Sequence, residues 1–134
     1  MILRLDPKGL SFELTCLHHV PEMKKVLRIA GVSTEVSSWR CVADEDLDIS
    51  GHQVDLVIQR RDGVINLCEM KYSSDAYSVT KKDESDWKCR ISDFIKATEV
   101  HDSVQLTLVT PYGIKRNTHS WVVQKTICLD DLFE

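Results

Sequence analysis

Two stretches of alternating hydrophobicity meet at Arg61-Asp62-Gly63, and that junction constrains the chain more than any other feature. Asp-Gly supplies residues that tolerate positive φ, so the flanking segments are expected to fold as a β-hairpin. In residues 53–59, Val54, Leu56 and Ile58 face one way and Asp55, Val57 and Gln59 the other. Residues 64–72 form the returning strand. A turn centred on Asp62 and Gly63 pairs position n with about 125 − n, which sets Lys71 near Val54 and Glu69 near Leu56.

Both strands carry charges where a buried strand should carry none. Asp55 interrupts one apolar run; Glu69 and Lys71 interrupt the other. An ionised group there is costly unless it is paired, metal-bound or solvated in a cleft. Period-two geometry puts Glu69 and Lys71 on one face and Cys68, Met70 and Tyr72 on the opposite one. Asp55 lies within side-chain reach of Glu69, but simple alternation does not turn it to that face; a bulge or twist is required. Taken alone, Glu69 and Lys71 read as a solvated salt bridge. The company of Asp55, and of Glu13 on a helix face with positions 10, 14, 17 and 20, favours a site. Two carboxylates and a lysine in a cleft suit Mg²⁺ or Mn²⁺, hard ions that keep waters and accept phosphate oxygens. Such an ion polarises a phosphodiester and lowers the pKa of an attacking water, and a lysine beside it stabilises developing charge. The main-chain carbonyl of Met70 is a further oxygen donor.

The rest of the chain supplies a frame for that hairpin. Leu10, Leu14, Leu17 and Val20 recur at helical spacing, and Pro21 kinks that helix or starts a second one reaching to about Ile29. Residues 34–40 read as a strand packing through Val36 and Trp39, and 41–50 as an acidic irregular segment. Thr80 caps a helix whose apolar face is Trp87, Ile91, Phe94 and Ile95. Its charges, Lys81, Lys82, Lys88, Arg90 and Lys96 among Asp83, Glu84, Asp86 and Asp93, read as a mixed solvated face. Residues 105–110 and 121–128 are strands, and 129–133 a terminal helical turn. The order helix, strand, hairpin, helix, strand, strand (α-β-β-β-α-β-β) predicts an α/β fold, a mixed sheet flanked by helices. Trp39, Trp87 and Trp121 are expected to anchor its core.

A length of 134 residues suits a single domain over 1–134, one able to bury roughly two-thirds of its unfolded surface. The net charge of −4 argues against a chain that clamps nucleic acid through basic charge alone. Five scattered cysteines without a CxxC pair suggest no disulfide framework and a cytoplasmic address. No stretch is long and apolar enough for a membrane span, and residues 1–6 do not read as a signal peptide. Cys16, His18 and His19 lack a second pair for zinc and read as helix-surface residues. His52, next to a glycine in a turn, reads as commonplace, with a lesser reading as a base or phosphate contact near Asp55.

The order Glu13, Asp55, Glu69-x-Lys71 on a helix, a strand and the next strand resembles the PD-(D/E)XK nuclease superfamily, whose fold is restriction-endonuclease-like. GLSFELTCLHHVPEMKKVLRIAGV, SSWR, GHQVDLVIQRRDGVINLCEMKYS, LTLVTPYGIKRN and the closing LDDLF together are similar to the C-terminal domain of a group of bacterial and archaeal AAA-type ATPases. The resemblance implies that Asp55 and Glu69 ligate Mg²⁺ or Mn²⁺ with the Met70 carbonyl, that Lys71 is the motif lysine, and that Glu13 is the helix acid and a further metal ligand. It implies a nuclease acting on DNA phosphodiesters, and a chain that is a fragment or stand-alone version of a larger ATPase's C-terminal domain, since no GxxxxGK[ST] is present. Val54 stands where the family pattern has proline. A homodimer is expected of an enzyme that cuts both strands. The competing expectation is a non-cleaving DNA- or protein-interaction module serving a P-loop ATPase.

Overall fold

The computed structural model describes residues 7–128 and residue 130, with side chains from residue 11 onward. Two short helices, α1 (Pro7–His18) and α2 (Val20–Val26), lead into strands β1 (Thr34–Cys41), β2 (His52–Arg60) and β3 (Val64–Met70). A two-residue strand β4 (Tyr77–Ser78) precedes the long helix α3 (Lys81–Thr98). Then come β5 (Ser103–Thr110), β6 (Ile114–Lys115), a 3-10 turn (Ser120–Val122) and β7 (Lys125–Cys128). The main sheet runs β1-β2-β3-β5-β7, antiparallel through β3 and parallel beyond it. Parallel neighbours need a long crossover, and α3 is the one joining β3 to β5. The fold is thus α/β, a mixed sheet flanked by helices.

The sheet separates two apolar layers. On one side Phe12, Cys16 and Met23 from α1 and α2 pack with Leu56, Ile58, Cys68, Met70, Val109 and Ile127. On the other, Trp87 and Phe94 from α3 pack with Val54, Val57, Leu67, Leu106 and Leu108. The strands of the hairpin are therefore covered on both faces, which is why β3 is an almost continuous buried run.

The hairpin register differs by one residue from the sequence reading. Leu56 faces Cys68, Val57 faces Leu67 and Ile58 faces Asn66, so paired positions sum to 124. The physical reason is the loop. It contains three residues, Arg61, Asp62 and Gly63, with Gly63 at φ 86° in the left-handed region that closes such loops at little cost. Arg60 braces the turn through Nε and Nη2, which donate to the Asp62 carboxylate at 3.0 and 2.6 Å. That pairing holds the Asp62 carboxyl below the usual range.

Other elements depart from expectation for local reasons. Helix formation restarts at Val20, with Pro21 in the first turn of α2, where a missing N–H costs nothing. The buried side of α1 is Phe12, Glu13 and Cys16, whereas Leu14 and Leu17 are exposed. The expected strand from residue 121 starts only at Lys125, because Asn117 accepts from the His119 N–H at 2.8 Å and turns the chain into the 3-10 segment. Trp121 is consequently 60% exposed; its indole N–H donates to Glu84 and Lys88 lies over its ring. Trp87 is the buried anchor of the set. The readings of residues 1–6 and of the terminal turn at 129–133 lie, apart from residue 130, outside the described residues.

Candidate functional site

A second irregularity in the sheet shapes the site. From Ser37 to Trp39, β1 advances two residues while its partners in β2 advance three, from Val57 to Val54. One extra residue is thus accommodated in β2 around Asp55 and Leu56, a β-bulge. Its effect shows in the packing: Val54 and Val57, an odd spacing apart, both join the α3 layer, while Leu56 and Ile58 join the other. The β2–β3 pairing runs from Gln59 and Ile65 to Leu56 and Cys68, so Asp55 and Glu69 both follow its last pair, and both line the same cleft.

The four sequence-selected side chains line one cleft of about 420 Å³: Glu13 from α1, Asp55 from β2, Glu69 from β3 and Lys71 just beyond it. Met70 also lines it, and the Lys71 N–H donates to the Val109 carbonyl at 2.9 Å, which continues the β3–β5 pairing past the end of β3. Gln53 donates through Nε2 to Asp55 Oδ1 at 2.9 Å and fixes that carboxylate's orientation. Glu13 is 8% exposed, so its carboxylate belongs to the α1–sheet seam rather than to open solvent. The far wall is the first half of α3, held by a capping box. The Asp83 N–H donates to Thr80 Oγ1 at 3.0 Å, and Asp83 Oδ2 accepts from the Thr80 N–H at 3.1 Å. Tyr77 adds its hydroxyl to Asp83 at 2.6 Å; burial first and then that bond push its pKa well up.

Arg90 is the cleft residue that sequence reading missed. Its guanidinium forms an ion pair with Glu69, and the two side chains are 21% and 12% exposed. Burial lowers the Arg90 pKa. The helical spacing Trp87, Arg90, Ile91, Phe94 places it beside the apolar face. The sequence groups it with the solvated charges because its neighbours along the chain are acids and bases in equal measure. Lys82 and Asp86, bonded at 2.7 Å, do lie at the exposed rim as that reading expects.

The donor set is all oxygen on the acid side: Glu13, Asp55 and Glu69. Such a set suits a hard divalent ion. Arg90 forms an ion pair with one of those carboxylates, so a cation held by Glu69 would compete with that guanidinium.

A different group of ligand-type atoms lies along the same two elements. His52 Nε2 is 2.7 Å from Asp93 Oδ2, and the Cys89 thiol donates to the same oxygen at 3.4 Å. Burial opposes ionisation of Asp93, but donors from His52, the Ser50 N–H and Cys89 outweigh it and hold the carboxyl below its usual range. Asp93, expected on the solvated face of the helix, is 3% exposed. Cys16, expected at a helix surface, is fully buried.

No family model matches the sequence, and a search of curated proteins finds no match. A solved structure, the crystal structure of the protein of unknown function AF1548, is similar, with a TM-score of 0.55 and 17% identity over 87% of this chain and 64% of that chain. At that identity the likeness speaks to the fold. The chain spans less than two thirds of the length of that protein.

Proposed function

We propose that the domain is a divalent-metal-dependent nuclease of restriction-endonuclease-like type, hydrolysing DNA phosphodiesters with Mg²⁺ or Mn²⁺. The observation that carries this reading is the meeting of Glu13, Asp55, Glu69 and Lys71, distant in sequence, in one polar cleft. Asp55 and Glu69 would hold the ion, with the Met70 carbonyl and Glu13 as further oxygen donors. The ion supplies Lewis acidity at the phosphate. Lys71 donates from its ammonium to a phosphate oxygen or orients the attacking water, and its place at the end of β3 fixes where that donor points. Arg90 neutralises Glu69, and with a cation on that carboxylate its guanidinium would face the substrate's negative charge.

The reading includes a cytoplasmic setting, DNA as substrate, a homodimer for double-strand cutting and an ATPase domain as partner in a longer chain. Among the described residues no helix is long and apolar enough to cross a membrane. Cleavage of supercoiled, linear, branched and single-stranded DNA in Mg²⁺ or Mn²⁺ tests the activity. Asp55→Asn and Lys71→Ala should abolish it while the far-ultraviolet spectrum stays native. Wild-type cleavage by both variants would overturn the assignment.

One observation favours the second reading, a non-cleaving interaction module. The Arg90–Glu69 ion pair already engages one carboxylate of the would-be metal pair, and a net charge of −4 gives DNA no general attraction. Thermal stability with and without Mg²⁺ or Mn²⁺ separates the two. A stabilisation that Asp55→Asn removes supports the metal site; none at saturating ion supports the module.

A further inference from the structure

We infer that His52, Cys89 and Asp93 form a second cation site, of opposite chemistry to the cleft and suited to Zn²⁺. His52 opens β2, and Cys89 and Asp93 stand four residues apart on α3, so they project from one helix face. Their ligand atoms, Nε2, Sγ and a carboxylate oxygen, all lie within 4.8 Å of one another. Metal–ligand bonds of about 2.0 to 2.3 Å in a tetrahedron place neighbouring ligand atoms roughly 3.3 to 3.8 Å apart. The 3.4 Å between Cys89 Sγ and Asp93 Oδ2 falls in that range, and the 2.7 Å hydrogen bond between His52 Nε2 and Asp93 Oδ2 would open by about half an ångström to admit the ion.

The surroundings are those of a built site rather than a chance surface group. The side chains of His52 and Asp93 are only 6% and 4% exposed. The Trp39 ring stacks on the imidazole, with centroids 6.0 Å apart and planes 22° apart, and fixes its tilt. The Ser50 N–H donates to Asp93 Oδ2 at 3.0 Å and remains to orient the carboxylate when a metal replaces the other two donors. Cys89 is exposed, which gives an entry path and leaves one coordination position open to solvent. Thiolate and imidazole select a borderline ion such as Zn²⁺ over Mg²⁺. Binding balances as displacement: the thiol proton leaves to solvent, His52 coordinates neutral, and the Asp93 carboxylate exchanges two hydrogen-bond donors for the cation. The metal then bolts the start of β2 to α3, three residues before Asp55 and one before Arg90.

The probe is Co²⁺ titrated into chelator-treated, reduced protein, with Zn²⁺ as competitor. The site should give a thiolate-to-cobalt charge-transfer band with the intense visible bands of four-coordinate cobalt, bleached by one equivalent of Zn²⁺ and untouched by excess Mg²⁺. Cys89→Ser, at an exposed position that folding tolerates, should remove the charge-transfer band, and His52→Ala should weaken affinity more than tenfold. Cys41→Ser is the control: Cys41 pairs with His52 across β1 and β2 but lies outside the ligand set, and its loss should leave the band intact. The absence of a thiolate band at saturating cobalt would refute the site. So would a band that survives Cys89→Ser and disappears in Cys41→Ser. Because the spectrum is read without DNA, failure here leaves the nuclease reading standing.

Discussion

The cleft around Asp55 and the cluster around Asp93 are built from the same two elements, β2 and α3, yet they satisfy their charges in opposite ways. At Asp93, three donors converge on one carboxylate oxygen and the group is nearly sealed. In the cleft, Asp55 accepts one bond from Gln53, Glu69 is met by a guanidinium from across the gap, and the walls open to solvent. The difference teaches how each site would admit a cation. A carboxylate tied to several donors of its own scaffold contributes to stability and gives up those donors only to a cation that its histidine and cysteine neighbours also bind; one paired with a single long cationic side chain can exchange that partner for another cation. Burial of an ion pair is a poor stabiliser on its own, since desolvation offsets the attraction. The Arg90–Glu69 pair is therefore a weak structural staple, which fits the metal site proposed above.

The sharpest way to break that comparison is to neutralise one carboxylate at a time. Asp55→Asn should lower cleavage by 100-fold or more, the scale of losing a charge-stabilising group from a transition state, about 10²–10³. Its melting temperature should stay within a few degrees of wild type. Asp93→Asn should do the reverse, leaving cleavage within a few fold while costing about 1 to 3 kcal/mol through donors that lose their charged acceptor. Chemical denaturation and a plasmid assay on the same two variants decide it; a large activity loss in Asp93→Asn alone would mean the roles are exchanged.

Next in size is the contrast of the tryptophans on the α3 side. Trp87 is 2% exposed in the layer beneath α3, and its truncation to alanine should cost about 3 to 5 kcal/mol by urea unfolding. Trp121→Ala should cost under about 1 kcal/mol, because its ring is exposed and its partners are surface charges. Equal losses would show that the 3-10 segment is part of the cooperative core.

How much of this was legible in the sequence follows from how each residue declares itself. Asp55, Glu69 and Lys71 stand out because they break apolar strands, and so they were found. That Asp55 reaches the cleft of Glu69 and Lys71 was not derivable, because it depends on two one-residue adjustments, the length of the loop that Gly63 closes and a bulge in β2, and the residue types mark the turn but neither of these. Glu13 was found, although the face of α1 was misjudged; Leu14 and Leu17 are as apolar as Phe12 and Cys16, and only the sheet decides which pair is covered. Arg90 and Asp93 were missed because they sit among charges on a helix. Nothing local distinguishes a charge facing solvent from one facing a partner 21 or 41 residues away.

Arg90 offers a finer probe of that exchange of partners at Glu69. Arg90→Gln removes the guanidinium that competes for Glu69 and keeps a polar donor near it. Divalent affinity, measured by calorimetry or by the ion-dependent rise in melting temperature, should increase about tenfold, near 1.4 kcal/mol. Without added ion the variant should be less stable than wild type, since Glu69 is left without its cation. Unchanged affinity would mean that the ion pair and the metal do not share the Glu69 carboxylate.

The smallest effect concerns the thiols, and it separates the cluster from the core beneath α1. Cys16 and Cys68 pack in the same apolar layer, and burial raises each from an ordinary value near 9 to about 12; Glu13 beside Cys16, and Cys16 beside Cys68, add to the rise. A thiol with a raised native pKa binds its proton more tightly folded than unfolded. Its contribution is therefore fully present below pH 9 and is lost as pH climbs from 9 toward 12. Unfolding free energy should be level from pH 7 to about 8.5, then fall by roughly 1 kcal/mol per thiol by about pH 9.5, with Cys68→Ala showing a shallower fall. Cys89 is exposed and should behave as a surface thiol, reacting with a disulfide reagent in the native protein while Cys16 and Cys68 wait for unfolding. If Zn²⁺ protects Cys89 from that reagent and Mg²⁺ does not, the two regions differ in ligand chemistry as their side chains imply; protection by both ions, or by neither, removes the distinction.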